Sequence, residues 1–288
     1  MDATFARLTP AQESLFLTLY LRTLDFRSAD PILGDATSAE IADRVDYDFG
    51  RQKVQKSLVL DLATRTKALD QLIKNFVAVH QDAVVVDLGC GLDPRAIRCG
   101  APPTVDWYDV DFPVVAEIRE RFLDGRSHII GADLTDAGWL DGVPADRPAM
   151  IVADGLMAFI TGEAYKTMTR RLTEHFATGE FAFNAYTRFV MKIGNYSSTF
   201  KAMGARTAGE GIDDPREPQS WGARLTLIEE MLLTRSPEIA KYPEPLRAFT
   251  RLCSHSTRIS RGGNRVVHYT FSCNRDAIDV KGVSPAPG

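Results

Sequence analysis

The 288-residue sequence predicts an α/β fold: an open, mostly parallel sheet with its last strand antiparallel, an N-terminal helical cap and an inserted lid. Three observations predict it. From residue 83 onward, short apolar runs alternate with helical stretches, the texture of parallel strands buried on both faces. The first 80 residues carry helical periodicity instead. A glycine turn, Gly89-Cys90-Gly91, directly follows the first apolar run, where open α/β sheets receive ligands.

The elements follow in order. Leu15, Leu19 and Arg22 recur at helical spacing, with Leu17, Leu21 and Leu24 alongside. Asp30-Pro31 breaks this helix, because the residue before proline is pushed out of the α region. A second helix is expected over 35–45. A long one is expected over 56–80, with Leu58, Leu62, Leu69, Leu72, Ile73 and Phe76 as its apolar stripe. Strands are expected at 83–88, 105–110, 128–131, 149–153 and 180–185, with crossover helices at 114–123 and 165–176. The β-rich run 265–273 has no crossover helix after it and reads as the final strand. Residues 204–218, rich in Gly, Asp and Pro, read as a long loop. The chain thus divides into a cap (1–80) and a core (81–288) carrying a lid at about 190–262, together one compact unit. The Pro/Gly/Ser tail, 282–288, is expected to fray.

Composition excludes several classes. With 44% hydrophobic and 25% charged residues the chain is ordinary for a globular protein, and its net charge of −4 is no footprint for nucleic acid. The four cysteines, Cys90, Cys99, Cys253 and Cys273, form no C-x-x-C pair, so neither a zinc site nor a disulfide framework is expected. They read as reduced, in a cytoplasmic protein without bound metal. The apolar stretch 15–21 is cut by Arg22 and Asp25, far short of the ~20 residues a membrane span needs. Asp2 precedes any basic residue, unlike the start of a secretory signal.

Four motifs carry chemistry. The first is Val84-Val85-Val86-Asp87-Leu88-Gly89-Cys90-Gly91-Leu92-Asp93, whose glycines let a ligand approach the backbone; alone it also fits a plain tight turn. A dinucleotide fingerprint needs a third glycine where this chain has Pro94, which argues against a nicotinamide dehydrogenase. The second is Tyr108-Asp109-Val110-Asp111-Phe112-Pro113. Asp109 and Asp111 lie about 20 residues beyond the glycines, the position of a ribose-binding carboxylate, although Asp111 also suits a helix cap. The third is Asp133-Leu134 after the third strand, fit for an adenine amino group and ring face, or for a surface turn. The fourth is Asp154-Gly155-Leu156-Met157-Ala158-Phe159 after the fourth strand; an isolated Asp-Gly is usually only a turn.

Taken together and in this order, the motifs resemble the leucine carboxyl methyltransferase family. The likeness is narrower to its bacterial branch of tetracenomycin-type polyketide carboxyl O-methyltransferases. Thr64-Arg65-Thr66-Lys67-Ala68-Leu69-Asp70 and Leu19-Tyr20-Leu21-Arg22 extend it toward the N-terminus. The resemblance implies a Rossmann-like class I methyltransferase sheet and S-adenosylmethionine as cofactor. It implies that Arg65 pairs with the methionine carboxylate, a bidentate match for a guanidinium. Asp87, Gly89 and Gly91 then form the turn facing the methionine part. Asp111, with Asp109 as the alternative, takes the ribose; Asp133 and Leu134 take the adenine side; Asp154 and Gly155 stand where the family has Glu-Gly.

The departures concern the acceptor. Asp154 is one methylene shorter than the family glutamate, Phe159 lacks the hydroxyl of the family tyrosine, and Asn184 stands where close relatives are expected to carry an acid. An ionised carboxylate needs no base to attack the sulfonium methyl, whereas a phenol does. No histidine groups with the motifs, which favours a carboxylate of a small secondary metabolite over a phenol or other hydroxyl. Tyr20, Phe159, Phe183, Tyr186 and Trp221 are the candidates for an aromatic acceptor pocket, each equally readable as core packing. A non-catalytic cofactor-binding module remains the alternative that Asp154 and Phe159 raise. Neither a nucleic-acid nor a membrane partner is expected.

Overall fold

The computed structural model describes residues 4–52, 54–123, 125–194 and 208–272. Cys273, the tail 282–288 and residues 204–207 of the long loop lie outside the described residues.

A seven-stranded sheet runs in the order β3-β2-β1-β4-β5-β7-β6. Its strands are β1 (Val84–Leu88), β2 (Asp106–Asp111), β3 (His128–Gly131), β4 (Ala149–Ala153), β5 (Thr178–Ala185), β6 (Leu225–Leu232) and β7 (Arg265–Ser272). The first five are parallel, and β7 runs antiparallel between β5 and β6. β7, the last strand of the chain, alone opposes the others, as the sequence predicts; β6, antiparallel only to β7, runs with the first five and is the strand the sequence does not predict. β6 hides in the expected lid because it is an edge strand with a bulge between Leu227 and Glu229, so its alternation breaks. The chain order reverses between β1 and β4, and that switch point opens a crevice at the carboxyl edge.

The strand period of two sorts the core. Val84, Val86 and Leu88 face one side with Tyr165, Met168 and Leu172 of the helix Gly162–His175. Val85, Met150 and Val152 face the other, under Leu69, Leu72, Ile73 and Phe76 of the long helix Lys56–Val79. The N-terminal helix Pro10–Phe26 starts at Thr9, whose side chain forms a capping box with Gln12. Its Leu15, Phe16 and Leu19 pack with Leu92 of the glycine turn and with Val115 and Ile118 of the helix Pro113–Phe122. The cap thus rests directly on the turn. No helix among the described residues is long and apolar enough to cross a membrane.

Candidate active site at the carboxyl edge of the sheet

Gly89 and Gly91 follow β1 with φ of +67° and +51°, a backbone region that L side chains rarely adopt. The Gly89 N–H donates to Val110 O at 2.8 Å, which keeps the turn at the end of the sheet. A Cβ on Gly89 would lie 3.0 Å from Leu156 Cδ1, and one on Gly91 would lie 3.4 Å from Leu15 Cβ. Asp111, the last residue of β2, accepts from the Gly91 N–H at 2.8 Å and from the Phe112 N–H at 2.7 Å. Burial raises its pKa, opposed by those two N–H groups.

Beneath the turn lies a lattice of buried arginines and aspartates. Arg119, on the helix Pro113–Phe122, binds Asp109 Oδ2 through Nε (3.1 Å) and Nη2 (2.5 Å). Its Nη1 donates to the carbonyls of Gly91 and Asp93, both at 2.9 Å. Trp107 Nε1 and the Ser127 hydroxyl complete the surroundings of Asp109. Arg95 reaches Asp70, Asp87, Asp93 and Asp154 at 3.2, 3.3, 3.1 and 2.9 Å. Arg98 joins Asp70, Asp93 and Asp35, the N-cap of the helix Ala36–Arg44. Asp87 and Asp109 are both essentially inaccessible. Their carboxylates belong to this lattice and do not reach the crevice. Of the residues expected at the cofactor, these two are the ones whose side chains pair inward with Arg95 and Arg119. Burial lifts the Asp87 carboxyl above the usual range, with Arg95 opposing.

At the ends of β4 and β5 a second polar group gathers. Arg65, buried on the long helix, is held through Nε by Asp154 Oδ1 at 2.6 Å. Asp154 Oδ2 accepts from Arg95 (2.9 Å) and from the Thr66 hydroxyl (3.2 Å). Arg65 Nη1 donates to the Tyr186 hydroxyl at 3.2 Å, and the Gly155 N–H donates to Asn184 Oδ1 at 2.5 Å. Burial lowers the Arg65 pKa, but Asp154, Tyr186 and Asp61 more than offset that, so its net shift is upward. Gly155 has φ +83°, and a Cβ there would lie 4.0 Å from Arg65 Nη2.

The remaining expected residues scatter. Asp133 is half-buried after β3 and accepts twice from Thr135. Leu134 is buried among Tyr108 and Val110. Phe183 is fully buried between Tyr165 and Tyr269, and the half-buried Tyr20 stacks on Phe49 in the cap. Phe159 is half-buried at the end of the turn Leu156–Ala158. Trp221 lines a 340 Å³ cleft with Met157, Ile160, Tyr165 and Arg188, beside the crevice. The strap 208–212 is fixed there by Ala208 and Gly209 N–H donating to Ala158 O and by Ile212 N–H donating to Tyr186 O.

None of the five histidines hydrogen-bonds to the Arg65 group. His175 contacts Val143 O, His268 contacts Glu180, and His255 contacts Arg251 O. His128 stacks on Tyr108 and His80 on Phe76. Arg95, Arg98 and Arg119 are not among the site residues the sequence predicts. The available signal was their excess of cations beside Asp87, Asp93 and Asp109 in a stretch otherwise too apolar to leave them solvated.

The sequence profile of the leucine carboxyl methyltransferase family matches residues 19–173. The tetracenomycin polyketide synthesis O-methyltransferase TcmP of Streptomyces glaucescens is 39% identical over 267 residues, 92% of this chain and 98% of that one. The S-adenosylmethionine-dependent methyltransferase dpfgK of Gibberella zeae is 29% identical, covering 81% of this chain and 86% of its own. Among solved structures, a candidate S-adenosylmethionine-dependent methyltransferase from Listeria monocytogenes superposes with a TM-score of 0.51 at 12% identity, over 73% of this chain and 97% of that one. At that identity the likeness concerns the fold.

Proposed function

The chain belongs to the leucine carboxyl methyltransferase family and is an S-adenosylmethionine-dependent methyltransferase, and from that premise we propose that it O-methylates a carboxylate of a polyketide-type small molecule. The observation that carries the carboxylate is the Arg65–Asp154–Tyr186–Asn184 group. It places the Tyr186 hydroxyl just beyond β5, beside the Arg65 cation that Asp154 holds fixed for the cofactor, and no histidine bonds to it. A tetracenomycin polyketide relative at 39% identity supports the acceptor class.

The residues suit the cofactor. Three left-handed glycines, Gly89, Gly91 and Gly155, make a cradle that Cβ atoms would narrow. Arg65 spends Nε on Asp154 and Nη1 on Tyr186, which leaves Nη2 beside Gly155 for the methionine carboxylate. Asp111 keeps lone pairs for ribose hydroxyls, and Asp133 with Leu134 borders the adenine side. When bound, the cofactor supplies an electrophilic sulfonium methyl. The chain's own residues orient the acceptor and exclude water, and positioning of this kind contributes roughly 7–11 kcal/mol in favourable cases. No proton has to leave an ionised carboxylate, so the absence of a histidine costs nothing.

Calorimetry with S-adenosylmethionine tests the cofactor site. Methyl-labelled cofactor offered with matched aromatic acids and phenols tests the acceptor. Turnover confined to the phenols overturns the carboxylate reading, and unchanged affinity in Arg65→Ala overturns the assignment of Arg65.

A further inference from the structure

The Tyr186 hydroxyl is placed with unusual economy. Its backbone is fixed at the end of β5, where Tyr186 O accepts from the Ile212 N–H at 2.9 Å and Gly211 packs against the same carbonyl. Its oxygen accepts from Arg65 Nη1 at 3.2 Å. Asn184 lies close by on β5. The Gly155 N–H occupies its carbonyl, which fixes the amide flip. The amide nitrogen has no hydrogen-bond partner, and Asn184 nearby lowers the phenol pKa. With Arg65 donating to the oxygen, the phenol proton is what the hydroxyl has to give. No described residue takes that proton.

Burial raises the Tyr186 pKa above its ordinary 10, outweighing Arg65 and Asn184, so the group stays a neutral donor and is no base at neutral pH. Arg65 itself cannot swing, because Asp154 holds its Nε and is held in turn by Arg95 and Thr66. The hydroxyl that Phe159 lacks is thus available at Tyr186, on a different element of the same edge.

We infer that Tyr186 is a specificity-determining donor that binds the spectator oxygen of the acceptor carboxylate, and that Asp154 is the positioning residue that aims it through Arg65. The inference rests on the carboxylate reading above. It also has a kinetic signature of its own. Methyl transfer turns a carboxylate into a neutral ester, so charge on the spectator oxygen falls as the transition state forms. A donor to that oxygen holds the ground state at least as tightly as the transition state, and its loss raises KM more than it lowers kcat.

The experiment compares wild type with Tyr186→Phe, using methyl-labelled S-adenosylmethionine and the panel of aromatic acids and phenols, with cofactor affinity from calorimetry. Tyr186→Phe is expected to raise KM for acids about tenfold, the lower end for a hydrogen bond to a charged group, with kcat and cofactor affinity within about twofold. Asp154→Asn is expected to raise both KM for acids and the cofactor Kd, and Tyr186→Phe is then expected to add little in the double variant. Acid KM unchanged in Tyr186→Phe overturns the inference while the carboxylate reading stands. A cofactor Kd that rises in step with KM also overturns it, by putting Tyr186 on the cofactor side. Wild-type turnover of phenols alone overturns both.

Discussion

Arg119→Met probes the buried lattice most directly. The guanidinium is 1% exposed and its partner Asp109 is 0% exposed. Removal leaves Asp109 with the Trp107 indole and the Ser127 hydroxyl but without a cation. Breaking a buried pair from one side costs about 3–5 kcal/mol. Two further bonds, to the carbonyls of Gly91 and Asp93, disappear with it, each a net ~0.5–1.5 kcal/mol. A loss of at least ~4 kcal/mol follows, a large part of the ~5–15 kcal/mol that holds a typical protein together. With an unfolding entropy of ~0.6 kcal/mol/K for a chain this long, the melting temperature falls by about 7 °C. Urea unfolding at pH 7 measures the loss. In the double-mutant cycle with Asp109→Asn, the double variant is expected to recover ~2 kcal/mol or more over the additive sum. Calorimetry on Asp109→Asn should give cofactor affinity within about threefold of wild type, because its carboxylate never reaches the crevice. A loss below ~1 kcal/mol in Arg119→Met, or additivity in the cycle, refutes the lattice. Weakened cofactor binding in Asp109→Asn without lost stability refutes its burial as a structural group.

Asp111→Asn is expected to weaken S-adenosylmethionine about tenfold or more by calorimetry, the worth of a hydrogen bond to a charged acceptor. Burial raises the Asp111 pKa, so wild-type affinity should fall on acidification from a pH above that of an ordinary aspartate, and the Asn variant should not show that fall. Gly89→Ala forces a side chain into φ +67° against Leu156 and should cost about 1–2 kcal/mol in urea unfolding; Leu156→Ala relieves only the contact. The Arg188 hydrogen bond lowers the Glu217 pKa to about 2, with the Asp213 and Asp214 N–H groups helping. A depressed carboxylate stabilises above its unfolded value and loses that effect as pH falls toward 2. Glu217→Gln should therefore be less stable than wild type at pH 7, by no more than ~1 kcal/mol for so exposed a pair, with the gap closing between pH 4.5 and 2.

The parallel strands were legible because each is a short apolar run ending at a turn. The expected 128–131 and 149–153 coincide with β3 and β4. β6 was not, because Glu229 and Glu230 interrupt its pattern, and Glu230 is tolerated only through Arg261 and Arg265, far along the chain. Asp109 and Asp111 show why the site was harder to read. They are two residues apart on one strand and therefore share a face. Asp111 ends the strand and meets the glycine turn, while Asp109 sits one rung lower under Arg119. Sequence spacing offers both equally; only the helix Pro113–Phe122 lying across the lower rung separates them.

The lattice buries much charge beneath the glycine turn, and its geometry gives a reason. Apolar side chains of similar volume would stabilise the fold as well or better, because desolvating ions is expensive. Apolar packing, however, specifies contact without direction. Arg119 grips two carbonyls of the turn, and Arg95 ties the long helix to β1, the turn and Asp154. Arg98 brings in the cap through Asp35. Each bond has a fixed angle, so the turn, the Arg65 group and the cap share one geometry. Methyl transfer depends on aligning donor and acceptor and gains from that rigidity. The shorter Asp154 fits the same logic, since its carboxylate reaches Arg95 and Arg65 at once and ties the end of β4 to the lattice.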